Sequence, residues 1–256
     1  MGAMFSQLAG VLHVPVGPLR WLAQHDGTPS LAVDDSPPAW SPPAWLSVDE
    51  AKFWRSLKVD KRRRDWALGR RTAKQLLLEL VLDRLGWRLT HDQITILPHA
   101  DGWPIASMSS LGDSAPAVTL SISHSHERAF CAVLEERDQL LGADIELVES
   151  RSDAFVKEYF TSLEQQFLAA APSDQVDALT NAIWSGKEAA LKAIRRGLAE
   201  DTRLVSCLPH PAMSADAEWL PMRVVWNKER IERPMPDLSG RWRRIDSFVL
   251  TLAYAS

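Results

Sequence analysis

Asp144 and Glu146 stand two residues apart in the run LLGADIEL, Leu140 to Leu147, which otherwise reads as an apolar strand. Side chains two apart on a strand share a face, so this run aims two negative charges in one direction out of a hydrophobic segment. Further along, in NAIWSGKEAALKAIRR, Trp184, Glu188 and Lys192 fall four apart and share one face of a predicted helix. Carboxylates beside Leu140, Leu141, Ile145 and Leu147 are costly to leave unpaired, and three of them repel unless a cation compensates. Oxygen-only ligands with no neighbouring His or Cys suit Mg²⁺, an ion that keeps several waters and commonly carries substrate phosphates. Each piece alone has a plainer reading. An isolated Asp-x-Glu is ordinarily a solvated strand face, and Glu188 with Lys192 is a surface ion pair of about 0.2–0.5 kcal/mol.

Taken together the pieces resemble the 4′-phosphopantetheinyl transferases of the surfactin-synthetase-activating type. That family carries a G-x-D-x-E strand followed by W-x-x-K-E-x-x-x-K; this chain has Gly142, Asp144 and Glu146, then Trp184, Lys187, Glu188 and Lys192. An upstream family motif similar to N-I-S-H-S is matched by SISHS, Ser121 to Ser125. The resemblance runs from about Leu46 to the end of the chain; no motif covers the residues before it. It implies an Mg²⁺-dependent enzyme, with Mn²⁺ as a substitute ion, that moves the phosphopantetheine arm of coenzyme A to a carrier-protein serine and releases adenosine 3′,5′-bisphosphate. It also implies the site. Asp144, Glu146 and Glu188 match the metal carboxylates. Lys192 matches the lysine at the transferring phosphate, and Lys187, Ser123 and His124 match coenzyme A contacts. Glu164 aligns with a glutamate considered as the acceptor of the serine proton; Thr161 and Glu164 equally form a helix capping box. Base catalysis by Glu164 and proton loss to a water at the cation stay open as alternatives.

Cations for the nucleotide end are supplied by KVDKRRRDWALGRRTAK, which holds Lys58, Lys61, Arg62, Arg63, Arg64, Arg70, Arg71 and Lys74. Arg suits bidentate phosphate recognition, and Arg62, Arg63 and Arg70 are the candidates for coenzyme A. Where the family often has G-K-P, this chain has Gly102, Trp103 and Pro104, which removes one phosphate contact and leaves Trp103 to stack on adenine. Gly186, inside the W-x-x-K-E segment, is read as lying in the early turns of the helix or keeping room for the pantetheine arm. Two other readings compete. An Mg²⁺-dependent phosphohydrolase or nuclease would use the same acids with the basic helix on DNA, but leaves the Trp–Lys–Glu–Lys spacing unexplained. A non-catalytic coenzyme A or carrier-binding module would require the loss of a metal acid or the lysine, and all are present.

The elements that must position these residues read as α+β. SVDE opens a helix at Ser47 through a capping box with Glu50; a long helix follows to about Leu85, stopped by Gly86. Strands are expected at 94–97, 118–123, 129–134 and 140–147. Helices are expected over 152–159, 162–170 and 174–196, with late strands near LPMRVVW and DSFVLTLAY. Helix–strand–strand thus occurs twice, and the fold expected is two similar α/β halves related by pseudo-twofold symmetry. They would be residues 47–138 on the coenzyme A nucleotide side and 139–256 on the metal and catalytic side, behind a proline-rich extension, 1–46, with order beginning at Ser47.

At 256 residues with 46% hydrophobic content and a net charge of −4, the chain can bury a sizeable core and is no general nucleic-acid binder. Cys131 and Cys207 cannot build a disulfide framework and fit a reducing compartment. No apolar run approaches the roughly 18 residues of a membrane span. The expected protein is a cytoplasmic monomer whose partners are coenzyme A and an acyl, polyketide or peptidyl carrier protein, with no membrane and no nucleic acid.

Overall fold

The computed structural model describes residues 7–26, 41–197, 200–211, 218–231 and 234–256. The chain divides into two compact units, Phe5–Asp138 and Gln139–Ser256.

The first unit is an antiparallel four-stranded sheet covered by a long helix. In sheet order its strands are β1 (Gln7–Val14), β2 (Gly17–His25), β6 (Arg128–Leu134) and β5 (Thr119–Ser125). Across it packs α2 (Asp60–Leu85), whose Ala73, Leu76, Leu77 and Leu80 meet Leu22, Cys131 and Val133 in one core. Gly86 ends α2 in the left-handed region at φ 69°, where a side chain is strained. A short helix, α1 (Val48–Ser56), and the hairpin of β3 (Thr95–Pro98) and β4 (Pro104–Ser107) complete the unit. Strands β5 and β6 turn on His126 and Glu127, both at positive φ, the backbone a two-residue hairpin of right-handed twist demands.

Order begins well ahead of Ser47, contrary to the sequence reading. Residues 7–25 form β1 and β2, and β2 pairs with β6 inside the sheet. His13, Pro15 and Pro18 look like interruptions of an apolar run, but Pro15 falls in the turn and Pro18 near the start of β2, where its missing N–H is tolerated. Of the two Pro-Pro-Ala-Trp runs in the proline-rich extension, the first, 37–40, lies outside the described residues. The second delivers Trp45 and Leu46 into a small aromatic cluster with Trp54 and Trp66.

The second unit is a five-stranded antiparallel sheet in the order β7 (Leu141–Leu147), β11 (Phe248–Ala255), β10 (Leu238–Ile245), β9 (Leu220–Trp226), β8 (Val205–Pro209). Helices α3 (Asp153–Tyr159) and α4 (Ser162–Ala169) precede α5 (Val176–Ala193), which lies against the sheet with its Ala182, Ile183, Ala190 and Leu191 in the core. Strands β4, β8 and β10 are absent from the sequence reading for compositional reasons: two are only 4 and 5 residues long, and β10, LSGRWRRI, carries a glycine and three arginines. Among the described residues no helix is long and apolar enough to cross a membrane. Both cysteines are free and buried, and burial pushes their thiols well above the ordinary range.

One polar device occurs in each unit. In the first, Glu50 is the third residue of α1: its Oε2 accepts the Ser47 N–H at 2.9 Å and the Lys74 ammonium at 2.5 Å. Its Oε1 accepts the Ile96 N–H of β3 at 2.9 Å. In the second, Glu164 is the third residue of α4. Its Oε2 accepts the Thr161 N–H at 2.8 Å and lies 2.7 Å from the Lys187 ammonium, while Oε1 accepts the Cys207 N–H of β8 at 2.8 Å. Each lysine comes from the long helix of its unit, and each ammonium sits over an aromatic ring, Trp45 or Phe160. All four side chains are 0% exposed. A carboxylate this deep is tolerable only because cap, strand and ammonium together use its lone pairs.

This arrangement predicts a sharp asymmetry. Lys74→Met should cost about 3–5 kcal/mol in urea unfolding, because it leaves a buried charge uncompensated. The double variant Glu50→Gln with Lys74→Met should recover part of that loss; a double variant as unstable as the sum of its singles would show that the pair does not act as one unit.

Candidate active site

Strand β7 and helix α5 carry the acids, and two glycines set how close they lie. A Cβ built on Gly142 would fall 1.8 Å from the Ala189 carbonyl oxygen, so the α5 backbone rests directly on β7 there. Gly186 packs as closely toward the opposite edge of the sheet, where a Cβ would be 2.5 Å from Met222 Sδ and 3.0 Å from Cys207 Cβ. Gly186 therefore lies in the middle of the helix, packed on β8 and β9, rather than in its early turns or beside a ligand. Residues 142, 144 and 146 alternate onto the face of β7 that α5 covers, and in register Asp144 stands opposite Thr251 of β11.

The close packing brings Asp144, Glu146, Glu188 and Lys192 together. The Lys192 ammonium is 2.5 Å from Asp144 Oδ1 and 3.7 Å from Glu188 Oε2. Burial, followed by repulsion from Asp144 and Glu188, raises the Glu146 carboxyl to about 8, against the pull of Arg151 and Lys192. Burial and then Asp144 raise Glu188 to about 7, against Lys192. Burial alone would lower the Lys192 ammonium, but Asp144, Glu188 and Glu146 outweigh it and hold the ammonium above its ordinary value.

Three neighbouring residues hold the acids in place. Arg151 donates to Glu146 Oε2 at 3.2 Å, to Asn181 Oδ1 at 2.9 Å, and pairs with Glu149 at 3.0 Å. Ser185, on α5, donates to Asp144 Oδ2 at 2.7 Å and lies 2.7 Å from the Thr251 hydroxyl. Sequence reasoning missed Arg151, Ser185 and Thr251. Ser185 occupies one of the unspecified positions of W-x-x-K-E, and no spacing rule singles out a threonine on a distant strand.

The donor set fits a hard divalent cation in kind. It consists of three carboxylates with oxygen donors only, more negative charge than the two facing cations balance, and Asp144 is 1% exposed. Asp144, Glu146 and Glu188 would be the holders. In the present arrangement the acids close on the Lys192 ammonium, and among the described residues no three His, Cys, Asp or Glu side chains converge on a common point at coordination distance.

Other sequence candidates lie apart from this cluster. Glu164 and Lys187 belong to the buried clamp, where Lys187 also donates to the carbonyls of Thr202 and Val205; neither touches the acids of β7. Trp184 of the W-x-x-K-E segment packs against Phe155 and Tyr159 as part of an aromatic cluster. In the first unit, Lys74 is fully buried against Glu50 rather than presented to a ligand. Arg62 is exposed near the start of α2. Arg63 pairs with Asp60 at 3.2 Å and lies over the Trp54 ring. Arg70 lies over Trp66, donates to the Ile96 carbonyl at 3.4 Å, and burial lowers its guanidinium to about 10. Ser123 is buried and His124 exposed near the end of β5. Trp103 stacks on His99 with ring centroids 3.8 Å apart.

The comparisons with known proteins bear on the second unit. Residues 140–252 match the family described as the 4′-phosphopantetheinyl transferase superfamily. The 4′-phosphopantetheinyl transferase HetI of Nostoc sp. (strain PCC 7120) is 33% identical over 94 residues, which is 35% of this chain and 39% of that protein. The similarity thus spans well under half the length of the curated relative.

Because Gly142 has no room for a Cβ, Gly142→Ala must push α5 off β7. It should lower stability by about 3 kcal/mol or more, at the upper end of overpacking costs, read as a shift in the urea midpoint. A variant of unchanged midpoint would refute the contact.

Proposed function

Since residues 140–252 match the 4′-phosphopantetheinyl transferase superfamily, we propose that this protein transfers the 4′-phosphopantetheine arm of coenzyme A to a serine of a carrier protein. The observation that carries this reading is the gathering of Asp144, Glu146 and Glu188 around Lys192 by the packing of α5 on β7. In the reaction the serine Oγ–P bond forms, the pyrophosphate P–O bond breaks, and adenosine 3′,5′-bisphosphate leaves while the hydroxyl proton passes to water. A divalent cation held by the three acids supplies charge neutralisation of the pyrophosphate when bound. Lys192, flexible and already drawn to this cluster, is the group we assign to the transferring phosphate. Arg62, Arg63 and Arg70, with Ser123 and His124, are proposed as contacts for the nucleotide end; Arg70 also has a structural part as the cation over Trp66.

Glu164 is left out of the proton transfer in this proposal. Both its oxygens are engaged by Lys187 and by two backbone N–H groups, and it has no exposed surface from which to reach a serine. Burial raises its carboxyl above the ordinary value, but the group is sealed. We also read the two units as duplicated halves of one monomeric chain. Support comes from the matched clamps, Glu50 with Lys74 and Glu164 with Lys187, each joining a capping box to a long helix and a following strand.

The direct test incubates the protein with Mg²⁺, coenzyme A and several apo carrier proteins, and looks for a gain of about 340 Da on the carrier serine, the mass of the arm delivered by such a phosphoryl transfer. Chelation by excess EDTA should stop the gain and added Mg²⁺ restore it. Glu188→Gln should abolish transfer with little loss of stability. If no carrier gains mass while the protein is folded, the reading is wrong. For Glu164, the double variant Glu164→Gln with Lys187→Met should keep transfer within about tenfold of wild type once its stability loss is allowed for; a loss of about 10²–10⁴ would restore the base role.

A further inference from the structure

We infer that Ser185, with Thr251 behind it, is a positioning residue that fixes how Asp144 presents itself to a divalent cation. The inference rests on the metal reading above and concerns residues which neither the signature nor the comparisons assign.

Asp144 offers two oxygens on a side chain with almost no exposed surface. Oδ2 accepts from Ser185 Oγ at 2.7 Å and Oδ1 faces the Lys192 ammonium at 2.5 Å. A carboxylate only accepts, so the single hydroxyl proton of Ser185 is committed to Oδ2. The bond of 2.7 Å between Ser185 Oγ and Thr251 Oγ1 must then be donated by Thr251. The result is a one-directional chain, Thr251 O–H to Ser185 O–H to Asp144, joining β11, α5 and β7, with all three residues at 0–1% exposure. In such surroundings successive hydrogen bonds polarise each other. Torsion of Asp144 about its side-chain bonds would break the Ser185 bond and force the hydroxyl chain behind it to reorient in a buried site, so Oδ2 is held and Oδ1 faces Lys192 and the other acids. Hydrogen bonds behind a ligating group orient it in this way, and their loss typically costs about 10–100-fold in metal affinity.

Direct measurement uses Mn²⁺ as the probe, titrated into the full chain at saturating coenzyme A and followed by the paramagnetic resonance signal of the free ion. Glu188→Gln serves as the blank, and unfolding midpoints are measured in parallel. Ser185→Ala should raise the Mn²⁺ dissociation constant about 10–100-fold. Thr251→Val, which keeps the side-chain shape, should weaken binding in the same direction by less, and Thr251→Ser should bind as wild type does. If Ser185→Ala cannot be obtained folded, the Val and Ser variants at position 251 decide. Variants that lose stability yet bind Mn²⁺ within about twofold of wild type would overturn the positioning role while the metal reading stands. A wild-type protein binding no more Mn²⁺ than Glu188→Gln would overturn both.

Discussion

Three lysines, each projecting from a long helix, are neutralised by carboxylates from elsewhere in the fold, and the balance of charge differs among them. Lys74 meets Glu50, and Lys187 meets Glu164, in sealed pairs whose remaining lone pairs are taken by backbone N–H groups. Their cost of desolvation is offset inside a closed set of hydrogen bonds. Lys192 meets Asp144 in the same way, yet here Glu146 and Glu188 add negative charge that Lys192 and Arg151 do not cancel. Burial first, and then the repulsion that remains, raises the carboxyls of Glu146 and Glu188.

Packing is what makes that surplus possible. Helix α5 presses its backbone onto β7 at Gly142 and packs on β8 and β9 at Gly186, which fixes how near the acid-bearing positions of strand and helix lie. The clamp of Lys187 to Glu164 and to the carbonyls of Thr202 and Val205 anchors the same helix one residue before Glu188. The pair that resembles a catalytic base and its partner is in this sense part of the mounting. A site of this kind needs a stiff support, since like charges held together would otherwise splay into solvent.

Several features of the first unit have the same logic of cations used internally. Arg63 over Trp54 and Arg70 over Trp66 spend their planar faces on aromatic rings, leaving their edges for other partners. The basic stretch is therefore heterogeneous: Lys74 is scaffold, Arg62 is exposed, and Arg63 and Arg70 lie between these extremes.

The sequence by itself determined the local elements and the identity of the acids. Period and caps were enough for α1, α2, α3 and α4, because Ser47, Gly86, Ser152 and Thr161 act on their immediate neighbours. Alternation along β7 was enough to point Asp144 and Glu146 one way. The hairpin of β1 and β2 was hidden because strand pairing is settled by partners far along the chain, and β10 because its arginines mask a pleated pattern that β9 and β11 impose. Tertiary structure alone decided which carboxylates gather into one cluster and which are sealed in single pairs. Glu50 and Glu164 look in sequence like ordinary capping residues, and only the arrival of Lys74 and Lys187 from other helices buries them. Ser185 and Thr251 acquire their part only when α5 and β11 close on Asp144, since a hydroxyl carries no spacing signal until its acceptor is fixed in space.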